Sequence, residues 1–211
     1  MKKILTLIMA AALALPTFAQ FENTGKRNRF NHNNTEQYYG LRLGLNIAAL
    51  SSDAVELDLG SRTGISVGAV YGIQLANSAP VWLETGLFYS EKGGKETIQG
   101  IKYSARLSYF QVPVVCKYAI DIADDFFLTP FFGGYMALGA FGKIKDYGLR
   151  TSESSWDTFN RFDAGLRLGC GFEYDMVYAE IGYDLGLTNI SKSDFDATHT
   201  RNLFINVGVN F

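Results

Sequence analysis

From Tyr39 onward, apolar and polar residues alternate with period two, the spacing that sends successive side chains to opposite faces of a β-strand. In the first run Tyr39, Leu41, Leu43, Leu45 and Ile47 share one face, and Gly40, Arg42, Gly44 and Asn46 the other. The second sets Ile65, Val67, Ala69, Tyr71, Ile73 and Leu75 against Gly64, Ser66, Gly68, Gly72 and Gln74. The third sets Val81, Leu83, Thr85, Leu87 and Tyr89 against Glu84, Gly86, Phe88 and Ser90. A fourth run covers 103–118 and a fifth 126–141; the fifth is apolar on both faces, which leaves its orientation open. The sixth sets Phe162, Ala164, Leu166, Leu168, Cys170, Phe172 and Tyr174 against Asp163, Gly165, Arg167, Gly169, Gly171 and Glu173. The seventh has Val177, Ala179, Ile181, Tyr183, Leu185 and Leu187 opposite Tyr178, Glu180, Gly182, Asp184 and Gly186. The eighth has Leu203, Ile205, Val207, Val209 and Phe211 opposite Phe204, Asn206, Gly208 and Asn210.

The connections alternate in length. Long ones fall at 49–62, 91–102, 142–160 and 189–201, and short ones at 76–80, 119–125 and 175–176. Bacterial outer-membrane barrels have an even number of strands, short periplasmic turns and long outer loops. The pattern predicts an all-β, eight-stranded antiparallel up-and-down transmembrane β-barrel with both termini in the periplasm.

Charge decides which face meets lipid. An Arg or Lys on the lipid face near the midplane costs about 2–4 kcal/mol. Turning the sixth and seventh runs over would put Asp163, Arg167, Glu173, Glu180 and Asp184 in hydrocarbon. The Gly-rich, charged face therefore points inward and the aliphatic face outward, the reverse of a soluble barrel. An eight-stranded barrel is just wide enough for side chains to fill it. Inward glycines at 44, 64, 68, 72, 86, 165, 169, 171, 182, 186 and 208 leave room for Arg42, Glu84, Asp163, Arg167, Glu173, Glu180 and Asp184, the predicted interior polar network. A two-residue turn at Asp175-Met176 pairs Tyr174 with Val177, and that register puts Arg167 opposite Asp184 as an ion pair, with Glu180 nearby. Tyr38, Tyr39, Trp82, Tyr118, Phe126, Tyr174 and Tyr178 gather at the expected inner interface, where aromatic belts form.

Ahead of the alternation, Lys2 and Lys3 precede an apolar run from Ile4 to Leu15, then Pro16 and Thr17-Phe18-Ala19. These are the parts of a secretory signal peptide, residues 1–19, cleaved after Ala19. The run is too short for a transmembrane helix, which needs about 20 residues. Residues 20–36 are polar and Asn-rich, with Lys26, Arg27 and Arg29, and read as a flexible periplasmic tail before a barrel domain at 37–211. A net charge of −2 leaves no electrostatic case for nucleic acid.

Candidate chemistry is sparse. His199 falls in the predicted last outer loop near Ser191, Ser193, Asp194 and Asp196, an arrangement that reads as a solvated loop before it reads as a rim enzyme. Asp53, Glu56 and Asp58, or Asp194 and Asp196, are oxygen donors suited to calcium, but without the spacing of a calcium loop. Cys116 and Cys170 sit on runs separated by one strand, about 10 Å apart, beyond disulfide reach, and face lipid as small hydrophobes. Neither a cofactor nor a metal is expected.

Tyr109-Phe110-Gln111-Val112-Pro113-Val114 leading to Lys117-Tyr118, Asp163-Ala164-Gly165-Leu166, Gly169-Cys170-Gly171 and Tyr183-Asp184-Leu185-Gly186-Leu187-Thr188-Asn189-Ile190 carry a family likeness. Over 37–211 the chain resembles the small Bacteroidetes-type outer-membrane barrels labelled "porin family" or PorT-like. That family usually has Glu where Gln111 stands. The resemblance implies recognition of the terminal Phe211 by the outer-membrane barrel assembly machinery. It also implies an accessory role in secretion or surface assembly. The sequence thus predicts a non-enzymatic, monomeric outer-membrane barrel with a filled interior. It would act as a membrane scaffold or a surface-interaction protein, with a protein partner at its outer loops. The alternative is a narrow conduit for ions or small hydrophilic solutes.

Overall fold

The computed structural model describes residues 37–52, 58–76, 79–98, 101–123, 126–146, 152–192 and 198–211. The segments expected to be an export signal and a tail, residues 1–36, and the tips of several connections lie outside the described residues. Eight long strands form the wall: β1 (Gln37–Ser52), β2 (Asp58–Ala76), β3 (Ala79–Ile98), β4 (Ile101–Tyr118), β6 (Phe126–Asp146), β8 (Phe162–Tyr174), β9 (Val177–Gly186) and β10 (Thr198–Asn210). Two short strands, β5 (Ile120–Ala123) and β7 (Ser152–Ser154), pair with β6, and one helical turn, α1, spans Ser155–Thr158.

Every wall pairing is antiparallel, and β1 pairs with β10 while β4 pairs with β6, so the sheet closes on itself. Closure leaves none of these eight strands with a free edge, a requirement for β-structure in hydrocarbon, where unpaired backbone groups find no water. The last pairing is made by the terminus itself: Tyr39 and Phe211 exchange backbone hydrogen bonds of 2.9 and 2.8 Å.

Period two sets the faces. Leu43 lies level with Val67 and Val207, and Leu45 with Ile65 and Ile205, all on the outer surface. Leu87, Phe110, Val114, Phe132, Met136, Leu168 and Ile181 continue this exposed apolar band around the wall. The fifth run, open in the sequence, is settled by packing: Phe131, Tyr135 and Ala137 point inward, and Phe132, Met136 and Leu138 outward. A bulge follows, because Tyr109 pairs with Gly139 but Ser108 with Phe141. The extra residue, Ala140, reverses the alternation, so Phe141 and Lys143 face out.

Two expectations need correction. Two of the predicted long connections, 49–62 and 91–102, are largely strand. β3 and β4 pair up to Ile98–Ile101, and β1 and β2 up to Ser51–Asp58, because antiparallel pairing satisfies the backbone of these charged and Gly-rich stretches as well as water would. The 142–160 connection holds the end of β6, then β7 and α1, and β10 begins inside 189–201. The aromatic belt is also split. Tyr39, Tyr118 and Tyr174 are exposed, whereas Tyr38, Trp82 and Tyr178 are buried inside the barrel, since their strand positions have the inward parity.

The tight turn at Asp175-Met176 joins Tyr174 to Val177. Asp175 takes φ 51°, a left-handed conformation that Asp tolerates better than most residues. β6 has 21 residues and β9 only 10, so the outer rim stands high on the β2–β3–β4–β6 side and low at β8–β9.

Candidate functional site

The lumen is where polar chemistry concentrates. Among the described residues it buries four basic side chains (Arg42, Lys92, Lys117, Arg167) and five acidic ones (Glu84, Asp163, Glu173, Glu180, Asp184). The two signs nearly cancel, the condition under which buried charge is tolerable.

Near mid-height, Asp184 on β9 faces Arg167 on β8. Arg167 Nε donates to Asp184 Oδ1 at 2.6 Å and Nη2 to Oδ2 at 3.0 Å, a two-point pairing. Gln111 Nε2 donates to the same carboxylate from across the barrel at 3.0 Å, and Asn202 Nδ2 at 3.3 Å. Lys92 Nζ lies 3.9 Å from it. Above, Asp163 accepts from Lys92 Nζ at 3.3 Å, Tyr135 at 3.2 Å, Thr200 at 2.8 Å and Thr188 at 3.2 Å. The Lys92 ammonium also sits 4.2 Å from the centre of the Tyr135 ring, a cation–π contact.

A second cluster fills the half nearer the short turns. Glu84 accepts from Tyr38 Oη at 2.5 Å and Lys117 Nζ at 2.8 Å, with Arg42 Nη2 at 3.6 Å. Lys117 also donates to Tyr178 Oη at 2.7 Å, and Tyr178 in turn donates to Glu180 at 3.1 Å. Arg42 stacks 3.9 Å over the Tyr178 ring and donates to Asn210 Oδ1 at 2.6 Å. Asn206 Nδ2 donates to Glu180 Oε1 at 2.7 Å, and Asn210 Nδ2 to Glu173 Oε2 at 3.0 Å.

A buried aromatic cluster packs inside each end. At the periplasmic end Tyr38 and Trp82 pack with centroids 5.3 Å apart, and Gly72 gives Tyr38 its space: a Cβ there would lie 2.2 Å from the ring. At the outer end Trp156 of α1 packs on Tyr109, Tyr135, Leu50, Leu107 and Ile190. Gly139 makes room for it, since a Cβ would lie 2.1 Å from the indole. Lys192 Nζ donates to the Trp156 carbonyl, which ties 187–192 to the plug.

All seven sequence-predicted network residues are buried, and Arg167 with Asp184 form one contact. They divide into two clusters. Asp163, Arg167 and Asp184 lie in the upper one, with Arg42, Glu84, Glu173 and Glu180 in the lower, so Glu180 acts on Arg167 at a distance and not through a hydrogen bond. Sequence reasoning missed Lys92, hidden in a stretch read as loop, and Lys117, on a run whose faces were unassigned. The alternation Gln111–Val115–Lys117 on one side and Phe110–Val114–Cys116 on the other would have found Lys117.

The remaining candidates separate. His199 lies on β10, not in a loop, paired with Ser51, and its Nδ1 sits 3.1 Å from the Thr188 carbonyl. Ser193, Asp194, Asp196, Asp53 and Glu56 lie outside the described residues, and Asp58 begins β2. Among the described residues no group of His, Cys, Asp and Glu gathers to hold a metal ion. Cys116 and Cys170 are free thiols on the outer wall, with β6 between them.

The chain is similar to several solved barrels. Ail, the attachment invasion locus protein of Yersinia pestis, is 16% identical, and the match covers 83% of this chain and 99% of that one with a TM-score of 0.47. Neisserial surface protein A is also 16% identical, with 82% and 97% covered and a TM-score of 0.45. The N-terminal β-barrel domain of Pseudomonas aeruginosa OprF is 10% identical, with 81% and 97% covered and a TM-score of 0.36. No curated protein sequence matches. A family model described as outer membrane protein beta-barrel domain matches residues 18–192, most of the chain. The closed antiparallel wall, its apolar exterior and that match lead to one conclusion: this protein belongs to the outer membrane protein beta-barrel domain family.

Proposed function

We propose that the protein is a non-conducting, non-enzymatic scaffold of the outer membrane, which holds its outer segments rigidly at the cell surface for a protein partner. The observation that carries this reading is the filled lumen: an aromatic plug at each end and two hydrogen-bonded charge clusters between them. A cylinder of this kind supplies rigidity and no passage. The tall β2–β3–β4–β6 wall is the natural platform, since its strands project past the low β8–β9 rim. In its specialised form the scaffold is a PorT-like accessory to secretion or surface assembly. Export by a signal peptide cleaved after Ala19 and assembly through the C-terminal strand ending in Phe211 belong to the same reading, as does a monomeric state.

Planar-bilayer recording of the refolded protein tests the reading. The expected trace has no reproducible open level; a stable conductance step would overturn the scaffold and favour the narrow conduit. Photo-crosslinking from the 142–160 segment in whole cells reads out the partner.

A further inference from the structure

We propose that a groove on the lipid-facing wall binds an acyl chain of a phosphorylated outer-leaflet lipid, whose headgroup is held by Lys143 and Arg106. The groove has a volume of about 440 Å³ and is lined chiefly by Val112, Val114, Gly134, Met136, Ala164 and Leu187. It arises from small side chains among large ones. Gly134 and Ala164 replace the bulk that Phe132 and Leu168 supply one row below and Leu138 and Phe162 one row above.

Charge says what occupies it. Every exposed charged side chain described in the outer half is basic: Arg106, Lys143, Arg161, Lys192 and Arg201. Those described at the periplasmic end, Asp121 and Asp175, are acidic. Arg106 and Lys143 are cross-strand neighbours on the outward face of two strands that line the groove, separated from it by the rows of Phe110, Leu138 and Phe141. Glu91 braces Arg106 from the side at 2.6 and 2.7 Å, while half of the Arg106 side chain stays exposed. The separation also fits. Six residues from Val112 to Arg106 are about 20 Å of strand. At a tilt of about 40° this is roughly 15 Å of depth, half of a hydrocarbon core about 30 Å thick. A lipid with its phosphate at Lys143 and Arg106 therefore drops its chain ends into the groove. The inference rests on the outer-membrane orientation and not on a closed lumen, so a conductance result leaves it standing.

The test is native mass spectrometry of the full barrel in non-ionic detergent. The probe is monophosphorylated lipid A, compared with dimyristoylphosphatidylcholine and with inorganic phosphate alone. The expected result is retention of the glycolipid about tenfold above the zwitterionic lipid. Lys143→Gln should weaken it about fivefold, the usual effect of one basic residue at an anionic surface. Gly134→Leu should fill the groove and abolish the preference; a Cβ at Gly134 meets the Gly165 carbonyl at 3.3 Å, a tight contact that requires a shift of a few tenths of an ångström. Ala164→Leu is the second groove-filling variant, and heat-modifiable gel migration verifies folding of each. Equal retention of both lipids, unchanged retention in the folded variants, or full displacement by inorganic phosphate would overturn the proposal. So would a wild-type dimer that Gly134→Leu dissociates, because a second copy would then be the occupant.

Discussion

Replacing Asp184 with Ala removes the acceptor on which the mid-barrel converges. Arg167 loses contacts of 2.6 and 3.0 Å, and Gln111 and Asn202 lose theirs of 3.0 and 3.3 Å. Lys92 keeps Asp163 at 3.3 Å, so it is not stranded. The Arg167 side chain is only 8% exposed, and among the described residues no other carboxylate hydrogen-bonds to it; Glu180 acts on it only at longer range. Breaking a buried pair on one side costs about 3–5 kcal/mol, most of it the penalty of an uncompensated charge. Asp184→Ala should therefore destabilise the barrel by about that amount. Arg167→Met combined with Asp184→Ala should recover half or more, since removing both charges is often nearly neutral. The remainder is the cost of unpairing Gln111, about 1–3 kcal/mol, since Asn202 keeps Asn46 Oδ1 at 3.3 Å. Urea titration in phospholipid vesicles reads this out, with the two tryptophans as reporters: Trp82 at the periplasmic end and Trp156 at the outer one. A loss under about 1 kcal/mol for Asp184→Ala, with no recovery in the double variant, would refute the reasoning. It would mean that water solvates the Arg167 guanidinium and that the lumen is wet.

Other substitutions test other parts of the structure. Leu45→Arg, on the lipid face at the middle of β1, should cost about 2–4 kcal/mol in the same titration, and a neutral result would invert the assignment of faces. Gly139→Leu should drive Trp156 out of the mouth, shifting its emission to the red and exposing 155–160 to protease; an unchanged spectrum would show that the plug does not depend on that space. Cys116 should react in vesicles with a membrane-permeant maleimide and not with a charged one, and oxidation should give no internal disulfide with Cys170; labelling by the charged reagent would place Cys116 in water.

Much of the wall was legible in the chain. The faces of the first three and last three runs followed from period two, because a strand has only two sides and charge excludes one of them from lipid. The Arg167–Asp184 register followed from a two-residue turn, which leaves no freedom in counting back along the hairpin. The ends of the strands were not legible, because the polar sequence of 91–106 suits water and a solvated ladder equally. Lys92 was lost with it.

By itself, then, the sequence determined that the chain spans as strands, how many there are, and which residues meet lipid on six of them, since these depend only on alternation and on the cost of charge in hydrocarbon. The tertiary structure decided which interior groups meet. Lys92 and Asp163 lie 71 residues apart and Gln111 and Asp184 73 apart. Contacts across a lumen depend on how far the strands slide when the sheet closes, and on bulges such as the one at Ala140 that reverse the alternation. Parity turned Tyr38, Trp82 and Tyr178 inward; closure packed Tyr38 on Trp82 and drew Trp156 into the mouth. Alternation has no term for a neighbour on the far side of a cylinder, so only closure of the sheet could bring these residues together.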